Sequence, residues 1–177
     1  MIGLLSTFDF PLLQYQLERF AISGHEDVVV FLDTKGFAER DAAIMFDRLG
    51  RHWPSYFDRE VKVEDSYYES IKWCCVANHN HLAGSSILEE LGIDVLINAG
   101  TPRKLKRELM GSVTYGVINV HPGLLPKYRG CCAPEWALLH GDNIGLTAHF
   151  MDEEYDSGPV IAQVVIDPAE FASYEEM

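Results

Sequence analysis

Several common signals are missing from this chain of 177 residues, and each absence narrows what it can be. The first apolar run leads into Ser6-Thr7-Phe8-Asp9-Phe10-Pro11. It carries no glycine-rich G-x-G-x-x-G or G-x-x-x-x-G-K-[ST] loop, which removes the main support for a dinucleotide oxidoreductase or a P-loop enzyme. No apolar run approaches the ~20 residues a membrane span needs, and the start, MIGLLSTFDF, lacks the basic segment of a secretory leader, which points to the cytoplasm. Positive charge is scarce. With 14 Lys and Arg against 27 Asp and Glu, the net charge of -13 repels phosphate backbones and anionic lipid, so neither nucleic acid nor membrane is expected as principal partner. The four cysteines form two adjacent pairs, Cys74-Cys75 and Cys131-Cys132, which match neither a zinc knuckle nor a C-x-x-C motif. Disulfide geometry rarely suits neighbours, so reduced structural thiols are expected. His79 and His81 are too few for a metal site, and no metal is expected.

What is present is an alternation. Apolar runs of strand length occur near the start, at 27–33, 72–78, 94–100 and 115–120, and helix-like patterns run between them from Pro11, from Gly36 and from Ser85. Continuous apolar strands alternating with helices indicate one α/β domain over 1–177, with a mostly parallel central sheet and helices on both faces. From Gly145 the rhythm changes: GLTAHFMD and PVIAQVVID are two strand-like runs joined by an acidic turn, which suggests two further strands on the far side of the sheet. Asp167 with Pro168 marks the start of a last helix. In open sheets of this kind ligands bind beyond the carboxyl ends of the strands, near the point where strand order reverses.

The stretch INVHPGLLPKYRG ends a strand with two polar side chains, Asn119 and His121. Two positions apart on a strand, they share one face. Pro122 keeps His121 extended, and Gly123 and Gly130 permit close backbone approach. An Asn-x-His-Pro alone is most often a polar strand terminus. Likewise the acidic loop holding Asp152, Glu153, Glu154 and Asp156 is most often a solvated turn. If that loop folds over the strand end, one of its carboxylates orients the imidazole. Cys132 lies close enough to compete as a nucleophile, but no partner constellation singles it out.

Together these residues carry a resemblance. From INVHPGLLPKYRG through HFMDEEYDSGPVI the chain resembles the folate-dependent formyltransferases, the group that includes glycinamide ribonucleotide transformylase, methionyl-tRNA formyltransferase and the sugar N-formyltransferases. The Asn-x-His-Pro run, the following Arg-Gly and the later acidic turn stand in the family's order over about Asp94 to Gln163. The resemblance implies a Rossmann-like three-layer fold and 10-formyltetrahydrofolate as formyl donor. It implies Asn119, His121 and Asp156 as catalytic residues. Pro102, Arg103 and Leu105 would line the pterin pocket, and Met151, Asp152, Glu153, Glu154 and Tyr155 would form the folate-binding loop. Asn78, Asn80, Lys127 and Arg129 are candidates for contact with the acceptor. One departure is Gly123, where the family has serine.

The residues then bear on the acceptor. The amine attacking a formyl carbon creates an oxyanion, and Asn119 and His121 are placed as its donors, with Asp156 taking part in proton transfer. Against methionyl-tRNA stand the acidic charge and the expected absence of a second, tRNA-gripping domain. Against glycinamide ribonucleotide stands the loop STFDFP, where those enzymes carry a glycine-rich phosphate loop. Formyltetrahydrofolate hydrolases carry an extra N-terminal domain that is not expected here. The remaining expectation is the amine of a nucleotide-linked amino sugar; the alternatives are a folate- or nucleotide-binding module lacking turnover and a formyltransferase acting on another amine, glycinamide ribonucleotide or methionyl-tRNA. A homodimer is left open.

Overall fold

The computed structural model describes residues 1–36, 43, 47 and 65–171. Its elements run β1 (Ile2–Thr7), α1 (Leu13–Ile22), β2 (Val28–Asp33), α2 (Asp65–Ser70), β3 (Lys72–Val76), a 3-10 turn (His79–Gly84), α3 (Ile87–Glu90), β4 (Val95–Asn98), α4 (Arg107–Met110), β5 (Val117–His121), α5 (Ala133–Leu139), β6 (Ile144–Phe150), β7 (Val160–Ile166) and a closing 3-10 turn (Pro168–Glu170). All seven strands form one sheet in the order β3-β2-β1-β4-β5-β6-β7. The first five are parallel; β6 and β7 join antiparallel. This is the mostly parallel α/β sheet that the alternation indicates, and the two late strands extend it on one side.

Alternation along β1 and β2 builds a core on each face. Leu5, Val29 and Phe31 point into one cluster with Leu82, Leu88, Leu96, Leu105, Leu109 and Val117. Leu4, Val28, Val30 and Leu32 point into the other, against Leu13 and Leu17 of α1. Both faces are therefore dry in the middle of the sheet, which is why these strands read as unbroken apolar runs. The two edge strands read the same way but differ in burial. Trp73 of β3 and Val160, Ile161, Val164 and Val165 of β7 are exposed. Being outermost, neither strand has an element packed squarely over it among the described residues.

Where strand order reverses, between β1 and β4, and onward to β5, the carboxyl ends of the strands share one side of the molecule. The β6–β7 connection returns to that side. It turns tightly: a side chain on Gly158 would lie 1.9 Å from the carbonyl oxygen of Phe150. The helix expected from Gly36 falls largely outside the described residues. At the far end Asp167 does cap a turn, accepting from the Ala169 N–H, though it is a short 3-10 turn, and residues 172–177 lie outside the description.

The dry centre and open edge make different demands on mutation. Phe31→Ala, at 0% exposure, is expected to cost about 3–5 kcal/mol in urea unfolding, whereas Val164→Ala, at 57%, should stay within about 0.5 kcal/mol.

Candidate active site

Register brings the polar residues together. In the β5–β6 pair Asn119 faces His149 and His121 faces Thr147, so two residues of the Asn-x-His run meet a second histidine across the ladder. Asn98, at the end of β4, donates from Nδ2 to Asn119 Oδ1 at 2.9 Å. The Asn119 Nδ2 lies 3.2 Å from His149 Nε2, and the other ring nitrogen of His149 lies 2.8 Å from the Phe150 carbonyl oxygen.

The acidic loop does fold over this strand end. Asp156 takes a left-handed backbone, φ 51°. Its Oδ2 accepts from the Gly130 N–H at 2.8 Å and stands 3.4 Å from His121 Nδ1, while Oδ1 stands 3.7 Å from His149 Nε2. His121 is buried, and its Nε2–H donates to the Tyr128 carbonyl at 2.7 Å. The imidazole is thus held by the Tyr128 carbonyl and lies behind Asp156 rather than at the open surface. Gly123 belongs to this packing. A Cβ there would lie 2.5 Å from the Tyr128 carbonyl oxygen and 2.7 Å from both His121 Nε2 and Ala133 Cβ, so the position accepts no side chain without displacing the His121–Tyr128 contact.

A second polar assembly braces the opposite wall. Asp33, fully buried at the end of β2, accepts two hydrogen bonds from Arg103, both 2.8 Å, and two more from the N–H groups of Lys35 and His79. Burial alone would push its carboxyl up; the guanidinium and the backbone donors outweigh this and hold it down at about 2. His79, also fully buried, donates from Nε2 to the Phe31 carbonyl, and its Nδ1 meets the Thr101 hydroxyl at 2.6 Å. Burial pushes its pKa below the ordinary value, so the ring is neutral and its 3.8 Å approach to Asp33 is a contact of a neutral imidazole rather than an ion pair.

Between the walls lies an open cleft. Asn98, Asn119, His149 and Asp156 line it, with Thr101 to Leu105 apart from Pro102 on one rim and Met151 to Tyr155 on the other. Leu105 and Met151 give it apolar surface beside the amides, which suits a flat heterocycle with polar edges. Exposed contacts tie the rims: Lys104 lies over the Tyr155 ring and Arg107 pairs with Glu153. Asp152 braces its own loop, accepting from the Glu154 N–H and the Ser157 hydroxyl.

Not every candidate from the sequence joins this cleft. Arg103 lines it, yet its guanidinium is committed to Asp33 and to the Ala77 carbonyl. Pro102 does not line it. Asn78 caps the 3-10 turn through the Asn80 N–H, and Asn80 clasps the backbone of Lys104 and Lys106. Both are braces for the rim. Lys127 pairs with Asp142 at a separate hollow, and Arg129 is exposed beside the Gly130 N–H that holds Asp156. The four cysteines are free. Conversely, Asn98, His149 and the Asp33–His79 pair were not picked out from the sequence. The one available signal was His149 within the strand run GLTAHFMD, a polar residue on an apolar strand like Asn119 itself.

Comparison with known proteins follows the same lines. The model of the formyl transferase family matches residues 76–177, more than half of the chain. A methionyl-tRNA formyltransferase of Syntrophus aciditrophicus is 38% identical over 78 residues, 44% of this chain and 25% of that protein, so the match spans about a quarter of that relative. Among solved structures, a phosphoribosylglycinamide formyltransferase from Anaplasma phagocytophilum aligns with TM-score 0.63 and 22% identity over 99% of this chain and 75% of that one. A sugar N-formyltransferase from Shewanella aligns with TM-score 0.55 and 18% identity, over 94% and 57%. At these identities the two structures speak for the fold.

The braced wall makes stability depend on pH in a defined direction. His79 has a folded pKa below its ordinary 6.5, so its contribution is complete above 6.5 and is lost as pH falls below it. Asp33, at about 2 against an ordinary 3.8, contributes fully above 3.8 and loses that contribution on further acidification towards 2. Urea midpoints should therefore fall between pH 8 and pH 5, and His79→Gln should flatten that interval. Gly123→Ser is expected to lower the midpoint at every pH, because it displaces the His121–Tyr128 contact.

Proposed function

Because the chain belongs to the formyl transferase family, we propose that it transfers a formyl group from 10-formyltetrahydrofolate to a primary amine in the cleft bounded by Asn98, Asn119, His149 and Asp156. The observation that carries this reading is the convergence of an amide donor and a carboxylate on one open space, Asn119 Nδ2 on one side and Asp156 on the other. Acyl transfer to an amine needs a donor for the oxyanion and an acceptor for the amine proton, and nothing covalent from the protein.

Asn119 supplies the donor. One of its Nδ2 hydrogens is directed at His149 and the other is left for the oxygen that becomes negative as the amine nitrogen bonds to the formyl carbon. Asp156 supplies the acceptor: Oδ2 is occupied by the Gly130 N–H and faces His121, whereas Oδ1 has no hydrogen bond among the described residues and can take the proton lost by the amine. When the carbonyl re-forms, the bond from the formyl carbon to the folate nitrogen breaks, and that nitrogen takes a proton in turn. His121 lies behind Asp156; with its Nε2–H committed to the Tyr128 carbonyl, it fixes the carboxylate through Nδ1–H only when the ring carries both protons. The donor's ring system would lie against Leu105 and Met151 within the two rim loops.

For the acceptor, the amine of a nucleotide-linked amino sugar is favoured. A net charge of -13 opposes a tRNA, and the loop after β1 presents Asp9 and no glycine where the phosphate of glycinamide ribonucleotide would need N–H donors. The methionyl-tRNA relatives support a second reading, in which the same cleft formylates an aminoacyl-tRNA. An assay with 10-formyltetrahydrofolate and both acceptor classes separates them. The expected result is product with an amino-sugar nucleotide alone; product with methionyl-tRNA alone favours the second reading, and no product with any amine contradicts formyl transfer. Asn119→Ala is expected to lower kcat about 10²–10³-fold, and Asp156→Asn to lower it comparably; near-normal rates in both would remove this cleft from the reaction.

A further inference from the structure

We infer that Asn98 and His149 are positioning residues that decide which end of the Asn119 amide faces the cleft; this rests on the formyl-transfer reading above. The polarity of the chain of contacts is dictated from the backbone. Asn98 Oδ1 accepts from the N–H groups of Gly100 and Thr101, at 3.2 and 3.0 Å, so its oxygen cannot be exchanged with its nitrogen without setting donor against donor. Its Nδ2 therefore points at Asn119, whose near atom must be the acceptor Oδ1. That leaves the Asn119 Nδ2 pointing to His149 Nε2, which must carry a lone pair, and the His149 proton falls on Nδ1, where the Phe150 carbonyl accepts it. Donor and acceptor alternate without a conflict from the Gly100 and Thr101 amides to the Phe150 carbonyl.

A competing arrangement exists in the same site. Asp156 Oδ1 stands 3.7 Å from His149 Nε2, so a proton on that nitrogen would turn it towards the carboxylate. Asn119 would then have to present its oxygen to His149 and leave no hydrogen for an oxyanion. The Asn98 contact opposes this rotation, and the neutral Nδ1–H form of His149 rewards the productive one. Neither residue needs to touch the reacting atoms.

The test reads the tautomer directly. With ¹⁵N-labelled histidine in the full chain at pH 8 and no ligand, His149, assigned by comparison with His149→Gln, should show a protonated Nδ1 and a lone-pair Nε2. Asn98→Asp, which cannot donate to Asn119, should move the proton to Nε2 and lower kcat about 10²-fold or more, as for loss of the Asn119 donor, with little change in the donor's KM. His149→Gln can still accept from Asn119 and should keep more of kcat than His149→Leu. An Nε2–H tautomer in the unaltered protein overturns the inference, as does equal activity of the Gln and Leu variants. Since the tautomer is read without substrate, the expected tautomer in a protein that transfers no formyl group would instead contradict the function.

Discussion

The site depends on the antiparallel pairing of β5 with β6. A parallel neighbour would bring its own carboxyl end to the cleft, whereas the antiparallel strand runs back and sets His149 opposite Asn119 and Thr147 opposite His121. The register also decides where the following loop emerges. Leaving β6 at Phe150, the chain passes along the cleft through Met151 to Tyr155 and delivers Asp156 over the end of β5, where the left-handed backbone turns its carboxylate to His121 and to the Gly130 N–H. A slip by one residue would turn every side chain of β6 to the other face and dissolve the arrangement.

The opposite wall is a separate piece of electrostatics serving the same cleft. Asp33 ends β2, His79 opens the 3-10 turn after β3, and Arg103 follows β4; their mutual contacts lock three strand-end loops together. Four hydrogen bonds offset the cost of burying a carboxylate there. The price is that Arg103, despite lining the cleft, has little left to offer a ligand. Thr101, Lys104 and Leu105 line that rim beside it.

Legibility from the sequence followed the range of each interaction. The strands of the sheet centre were plain because burial on both faces makes them unbroken apolar runs; the exposed β3 and β7 carry the same pattern, so burial at the edges was not. Asn119 and His121 stood out because they break an apolar alternation, and the late hairpin stood out through its two β-rich runs. Which residues meet across the ladder is a property of register, so His149 and Asn98 stayed hidden, and so did the distinction between Arg103 as ligand contact and Arg103 as partner of Asp33. Asn78, Asn80 and Lys127 failed to reach the cleft for a shared reason: polar side chains on loops satisfy nearby backbone or charge first. Gly123 read as a departure from the family's serine; in the structure a Cβ there would lie 2.5 Å from the Tyr128 carbonyl oxygen, so a side chain requires its neighbours to shift.

On the proposed reading, the Asn119 amide faces the formyl group of a folate bound between the two rims. Side-chain amide resonances of ¹⁵N-asparagine-labelled protein, followed during titration with 10-formyltetrahydrofolate in the absence of any acceptor, test this most directly. The Asn119 Nδ2 resonances are expected to shift on saturation and to show a nuclear Overhauser contact to the formyl proton. Saturable binding that leaves Asn119 unmoved, with shifts confined to the far side of the sheet, would contradict it.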